Sequence, residues 1–392
     1  MNKKFFLILI FFIFFTGIYF FLHRERISSP PIGLAPTFED LKQAYEFQDE
    51  NKTGHEWGQA VISVPEGFFI LGKTNSKGTG GNNIWLLKLD RSGKLLWDRT
   101  YGGKLASIAN SMTLSSEGNL VIAGELQVDL MAFQGRVLEV SPKGEVLQDI
   151  ILGQPGLTSL YSVSLMPDHS VLVGGDQARK GWIVKLDSQL EKIWERQVAE
   201  LKGVTSIIPI SENQFFALGM KEKSTVGWGQ PGLLKFDLSD RLLREIFFPP
   251  NSGELSLLLS LPHRKWAALG VRDRENLEGR DLWVIKLDET GKIIWEKIFW
   301  EKTKTTMPIV KGAVVFPNGG MAVVGAVSLI ENGDLKIWRL TPDGNLLWER
   351  SYGGPKAEIG YAIARTEEDG LIVVGSTMSQ GAGKTDLWVL RL

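Results

Sequence analysis

The 392-residue chain contains no cysteine. Disulfides, thiolate-bound zinc, iron–sulfur clusters, covalently attached haem, thiol nucleophiles and a lipid-bearing cysteine are excluded together. Histidine is scarce: His23, His55, His169 and His263 are widely separated, with no HExxH or other close ligand pair, so the sequence implies no metal centre. Net charge is almost absent as well. The 44 Lys+Arg against 45 Asp+Glu leave −1, which removes any global electrostatic reason to expect nucleic acid as a partner. No GxSxG elbow, Walker A loop or Rossmann fingerprint stands in a strand-to-helix setting. Gly78-Thr79-Gly80-Gly81 and Gly381-Ala382-Gly383-Lys384 each join two predicted strands and read as loops, not phosphate cradles.

What the chain does have is glycine, 43 residues or about 11% against a usual ~7%, together with 13 Trp and 20 Phe. Many tight turns between aromatic-rich segments favour an all-β fold. The N-terminus differs. After a four-residue tail (1–4) containing Lys3 and Lys4, residues 5–22 form an uncharged, largely apolar run of 18, about 27 Å as a helix, which is long enough for a transmembrane signal anchor and longer than an ordinary signal-peptide core. The flanking charges are nearly balanced. The short tail is placed in the cytoplasm, and the remaining chain outside it, in a periplasm or at the cell surface, where a cysteine-free protein tolerates oxidation. Residues 23–37, with Ser28-Ser29-Pro30-Pro31 and Pro36, read as an extended stalk.

Beyond the stalk the sequence repeats with a period of about fifty residues. Trp85-Leu86-Leu87-Lys88-Leu89-Asp90, Trp182-Ile183-Val184-Lys185-Leu186-Asp187, Trp283-Val284-Ile285-Lys286-Leu287-Asp288 and Trp388-Val389-Leu390-Arg391-Leu392 are versions of one segment. Degenerate copies at 136–141, 232–237 and 336–341 fill the gaps. A second marker runs in phase, a glycine closing an apolar stretch: Gly72, Gly124, Gly174, Gly219, Gly270, Gly325 and Gly375. Both series count seven. In the first unit the strands are expected at 59–64, 68–71, 85–89 and 94–101, joined by short Gly-containing turns. Four short strands repeated seven times predict a seven-bladed β-propeller occupying residues 38–392. The last unit ends after its third strand, so residues 38–47 are expected to supply its fourth and close the ring.

The pattern Leu-Asp-x-x-Gly-x-x-x-Trp, at Leu89-Asp90…Gly93…Trp97 and Leu287-Asp288…Gly291…Trp295, and with Thr341 for Asp before Gly344 and Trp348, resembles the repeat of PQQ-like (quinoprotein-type) propellers. The resemblance implies that Trp97, Trp194, Trp295 and Trp348 pack across neighbouring blades, while the Asp and Gly shape the hairpin. Units two and four depart from it, with Gln148 and Arg244 in the Trp position. It does not imply a quinone: those enzymes are typically eight-bladed and often carry a cysteine pair beside the cofactor, so no cofactor is expected here. Asn83, Asp281, Asp334 and Asp386 share one place before the third strand, where Asx side chains commonly hold their own loops.

The function this suggests is a membrane-anchored binding or assembly module, non-catalytic, whose partner is a protein or a glycan. The alternative is an enzyme, a hydrolase, lyase or, less readily, a PQQ-dependent oxidoreductase, working at the mouth of the central channel. Three or more clustered titratable groups with shifted pKa values would favour the enzyme. Glu56 and Glu358 align before the first strands of units one and seven, which ring closure makes neighbours. With His55 and Tyr361 they form the candidate ligand-binding patch; no catalytic residue is assigned.

Overall fold

The computed structural model describes residues 54–78, 81–221, 229–250, 252–274, 279–299, 308–327, 333–367, 369–381 and 384–392. The anchor, the stalk and the closing segment 38–47 lie outside these residues. Among the described residues no helix is long and apolar enough to cross a membrane.

Seven antiparallel sheets follow one another along the chain, at residues 56–101, 107–156, 158–198, 204–247, 253–299, 308–352 and 358–391. The first six have four strands in chain order. In the seventh the described residues supply three. Blade 1 matches the expected pattern, with strands Glu56–Val64, Gly67–Thr74, Asn83–Leu89 and Leu95–Tyr101. Its third strand, Asn-Ile-Trp-Leu-Leu-Lys-Leu, is buried throughout, as a strand covered on both faces must be.

Each sheet buries both faces against its neighbours, so the core is divided among the seams. Each of the seven seams has its own apolar cluster. The closing seam is built like the rest: Phe68, Ile70, Trp85, Leu87 and Leu89 of blade 1 pack on Ala364, Ile372, Val374, Leu387 and Val389 of blade 7. One backbone bond recurs across seams. The first residue of a blade donates its N–H to the carbonyl just before the preceding blade's third strand, from Ser107 to Asn82 at 2.7 Å and from Glu358 to Gly333 at 2.7 Å. At the closing seam Glu56 donates to Thr385 at 2.9 Å in the same way, and Lys384 donates to Gly54 at 3.1 Å. The first strands of blades 1 and 7 also meet directly.

The first strands stand side by side around the axis and line the channel. Each is a sheet edge whose outward N–H groups have no ladder partner. Part of the answer is serine: Ser111, Ser162 and Ser206 accept the N–H groups of Val163, Ile207 and Leu258 from the next blade, at 3.3, 3.0 and 3.2 Å. The other part is a β-bulge at the same place in all seven blades, at Gln59, Asn110, Tyr161, Thr205, Ser256, Lys311 and Tyr361. A bulge bends the strand and leaves one residue unpaired.

This bulge explains the in-phase glycine. A Cβ on Gly72, Gly124, Gly175, Gly219, Gly270, Gly325 or Gly375 would lie 1.6–2.6 Å from the carbonyl oxygen of a first-strand residue, or of Gly203 just before the strand in blade 4. Only hydrogen fits there. In unit three the sequence marker falls one residue early: Gly174 is followed by Gly175, and it is Gly175 that lies beneath the Ser159 carbonyl.

At the opposite end, the turns between third and fourth strands use the expected side chains. Asp90 Oδ1 accepts from the N–H of Ser92 and Lys94 at 2.8 and 2.9 Å, and Asp237 and Asp288 repeat the arrangement. Hydrogen bonds from Ser92, Ser239 and Thr290 hydroxyls, with backbone N–H groups, hold these three carboxyls below the usual carboxylate range. A carboxyl whose pKa is lower in the folded than in the unfolded state stabilises the fold above its unfolded pKa and ceases to as pH falls through the folded one. Stability should therefore decline as pH drops below about 4. Urea midpoints read by tryptophan fluorescence check this; a midpoint that is constant or rises toward pH 2 would contradict it.

The outer tryptophans lie over the next blade's turn. A Cβ on Gly144 or Gly344 would come within 3.2 and 2.5 Å of the Trp97 and Trp295 rings, and Trp194 Nε1 donates to Leu238 O at 3.0 Å. Trp348 packs against the blade 6–blade 7 core. Blade 2 reverses the roles: its outer strand carries Gln148, and the facing turn of blade 3 places Leu190 where blades 1, 2, 5 and 6 have glycine, at φ 59° and inside the seam core. For Arg244 in blade 4 the substitute is Ile246, whose Cδ1 lies against Gly291.

Candidate functional site at the channel mouth

The bulges and the residues after the in-phase glycines sit where second strands end, at one mouth of the channel. Their chemistry is uneven around the ring. The residue after the glycine is Lys73, Glu125 and Asp176 in blades 1–3, but Met220, Val271, Ala326 and Ser376 in blades 4–7. At this position the charged residues fall in three adjacent blades, one arc of the ring.

Within that arc the groups are tied together. Lys73 Nζ lies 4.3 Å from the centre of the Trp57 ring, and His55 stacks on Trp57 with centroids 5.3 Å apart and planes 7° from parallel. Ser159 Oγ donates to the Glu125 carboxylate, and Tyr161 Oη donates to Asp176 Oδ1 at 2.5 Å. Asp176 also accepts from the Arg179 N–H at 3.2 Å. Burial pulls the Lys73 ammonium pKa down, with Glu125 opposing it. Burial pushes the Glu125 carboxyl up; the Ser159 hydrogen bond opposes the rise, and nearby Asp176 adds to it. Tyr161 is pushed up by burial and by its bond to Asp176. Burial likewise raises Tyr361, the bulge residue of blade 7, with a hydrogen bond from Ser376 opposing it.

The four residues of the sequence-derived patch separate into two kinds. His55 is at this mouth: its N–H donates to Asn75 Oδ1 at 2.8 Å, and its Nδ1 lies 3.1 Å from Thr385 Oγ1 across the closing seam. Tyr361 is at the mouth as a bulge residue. Glu56 and Glu358 are each only 1% exposed and turn inward. Glu358 accepts from Gly354 N, Thr377 Oγ1 and Ser379 N at 2.8, 2.9 and 3.1 Å. Glu56 accepts from Thr74 Oγ1 at 3.0 Å and from Ser76 Oγ. They are one device used twice, a carboxylate at the start of a first strand pinning the Thr-x-Ser that ends the second.

The Asx residues before the third strand also act locally. Asn83 Nδ2 donates to the Lys77 and Gly81 carbonyls at 3.0 Å, and Asp281 receives Arg274 through two bonds at 2.9 and 2.6 Å. Asp334 differs. Burial and the neighbouring Glu358 carboxylate raise its pKa. His169 and His263 occupy left-handed turn positions, at φ 64° and 60°. Among the described residues no group of three or more His, Asp or Glu side chains is gathered so as to hold a metal ion.

Sequence comparison finds no matching protein-family model and no matching curated protein. Solved structures do match. Drosophila Semaphorin 1b, extracellular domains 1–2, superposes with a TM-score of 0.52 at 8% identity over 88% of each chain. Drosophila Plexin A in complex with Semaphorin 1b gives 0.50 at 10% identity, also over 88% of each. The β-propeller domain of the trilobed protease from Pyrococcus furiosus, described as having an open velcro topology, gives 0.51 at 10% identity over 86% of this chain and 93% of that one. At such identities the likeness is one of fold. The class is an all-β propeller of seven blades.

Proposed function

We propose that this chain is a non-catalytic binding or assembly module, carried outside the cytoplasm on a membrane anchor at residues 5–22 and a stalk at 23–37, which takes a protein or glycan at the channel mouth over blades 1–3. The observation that carries the reading is the confinement of Lys73, Glu125 and Asp176 to adjacent blades of a ring whose other four equivalent positions are uncharged. Structural duty alone gives no reason for that asymmetry, since the same backbone is built with methionine, valine, alanine or serine at that place. The packing of outer tryptophans over the next blade's turn supports kinship with quinoprotein-type repeats, and that kinship carries fold without redox chemistry.

A second reading, an enzyme of hydrolase or lyase type, is favoured by the shifted pKa values of Lys73, Glu125 and Tyr161 within one cluster. Against it, Glu125 is already engaged by Ser159 and Tyr161 by Asp176. The test is a glycan array, together with chemical cross-linking in native membranes, of the full chain and of a Lys73→Ala/Glu125→Gln variant. The binding reading expects wild-type adducts or glycan signals to fall at least about tenfold in the variant, and to persist in Leu96→Ala, a change on the outer strand of blade 1. Equal signals from wild type and mouth variant would refute it.

A further inference from the structure

The cation of the repeated Trp-x-x-Lys segment has one exception. At its register the third strands carry Lys88, Lys185, Lys235, Lys286, Arg339 and Arg391 in six blades, and Glu139 in blade 2. Two of the lysines reach across a seam. Lys235 Nζ donates to Glu289 O at 3.0 Å and Lys286 Nζ to Pro342 O at 3.1 Å, in each case the carbonyl of the second residue in the next blade's turn between third and fourth strands. The corresponding residue in blade 3 is Ser188. Blade 2 therefore sets an anion beside a turn that receives an ammonium in the seams of blades 4 and 5 with their successors.

A crevice lies between Glu139 and that turn. It is about 280 Å³ with its mouth included, sits between blades 2 and 3 on the face opposite Lys73, Glu125 and Asp176, and has room inside for about one water-sized group. Val121, Leu165 and Leu190 wall it, Glu117 and His169 stand with Glu139 among its polar groups, and among the described residues neither lysine nor arginine lines it. The wall formed by Leu190 comes from the same seam's departure from the repeat, since that leucine stands in a glycine's place. Glu139 itself is only 8% exposed. Its Oε1 accepts from Asn119 Nδ2 at 2.9 Å, and its other oxygen has no hydrogen-bond partner among the described residues. A carboxylate buried to this degree calls for a compensating charge.

We infer that this crevice binds a primary alkylammonium group, presented by a free amine or by a lysine side chain of another protein, with the ammonium on the second oxygen of Glu139 and the aliphatic stem along Val121, Leu165 and Leu190. The head matches the inner space in size, and its charge is the one that the other six blades place at this register. The stem matches apolar walls that a bare metal ion would leave unused. The donor set agrees, because among the described residues no three acidic or imidazole groups are gathered to hold a metal. This assignment is independent of the channel-mouth reading.

The test is methyl NMR of the full chain in a sugar-headed detergent and phosphate buffer, both free of amines, at neutral pH. The probes are n-butylamine and Nα-acetyl-lysine methylamide, with butyrate and n-butanol as controls. Methyl resonances of Val121, Leu165 and Leu190 should move with at least one amine, at a midpoint at least about tenfold lower in wild type than in Glu139→Gln, and should not move with either control. Movement with the lysine derivative assigns the site to lysine side chains of a partner, and movement with butylamine alone assigns it to a free amine. Glu139→Lys, which restores the cation of the other blades, should lose the response to both. No movement with either amine, equal midpoints in wild type and Glu139→Gln, movement with butyrate or n-butanol, or an undiminished response in Glu139→Lys would each overturn the assignment.

Discussion

Alanine in place of Gly325 is expected to destabilise the protein by about 3 kcal/mol, at the upper end of what forced overpacking costs. The added methyl would stand 1.6 Å from the Ile309 carbonyl oxygen and 2.7 Å from its carbon, and both belong to backbone held by the bulge at Lys311. No rotamer change relieves a collision with main chain. Relief requires the bulge to open, and with it the approach of blade 6 to blade 7, where Gly312 packs against the backbone of Tyr361 and Ala362. Gly103→Ala is the control, because a Cβ there meets nothing within 4 Å. Its unfolding free energy, read from the urea midpoint, should stay within about 0.5 kcal/mol of wild type. Similar midpoints for the two variants would show that the glycine series does not mark the bulges.

Removing the Glu358 carboxylate should cost a comparable amount, about 3 kcal/mol in Glu358→Ala, the upper range for stranding buried hydrogen-bond donors. The N–H of Gly354 and the hydroxyl of Thr377 lose this acceptor at once, and the Ser379 N–H keeps only its bond to Thr377 Oγ1. The double variant Glu358→Ala/Thr377→Val should recover none of the loss, because it removes the stranded hydroxyl together with the oxygen that accepts the Ser379 and Gln380 N–H groups at 3.1 and 3.3 Å. Denaturant midpoints of the two variants check this. If Glu358→Ala were neutral and instead abolished a binding activity, the carboxylate would belong to a ligand site and not to the framework.

Glu56 and Glu358 show where sequence reasoning reaches and where it stops. Their equivalence was legible, because each stands just ahead of a Gly in matched units. Their role was not, because the groups that capture them, Thr74 and Ser76 or Thr377 and Ser379, come about twenty residues later, and only strand pairing brings them together. The period, the blade count and the turn chemistry were readable for the opposite reason: each rests on residues close in sequence and constrained by backbone, such as Asp90 with Gly93. The bulge ring lies between these cases. Gln59, Asn110, Tyr161, Thr205, Ser256, Lys311 and Tyr361 have no residue type in common, so the bulge shows in sequence only through the glycine it overhangs. The charged arc had a signal of the same indirect sort. Lys73, Glu125 and Asp176 form no motif, yet Lys73 and Glu125 directly follow a glycine of that series, and Asp176 comes two residues after its marker Gly174. The exchange of Trp and Gly for Gln148 and Leu190 was half legible: the missing tryptophan stood out, while the leucine that compensates for it sits on the facing turn.

All of this presupposes that seven equivalent units close into a ring through direct contact of blade 1 with blade 7. The absence of cysteine allows that contact to be probed without background. His55 and Thr385 form a parallel backbone bridge across the closing seam, so the double variant His55→Cys/Thr385→Cys should form an intramolecular disulfide on mild oxidation, seen as a monomer that has lost two hydrogens in mass and runs faster on a non-reducing gel. A folded double variant that keeps two free thiols, or one that joins only to other chains, would contradict the closed ring.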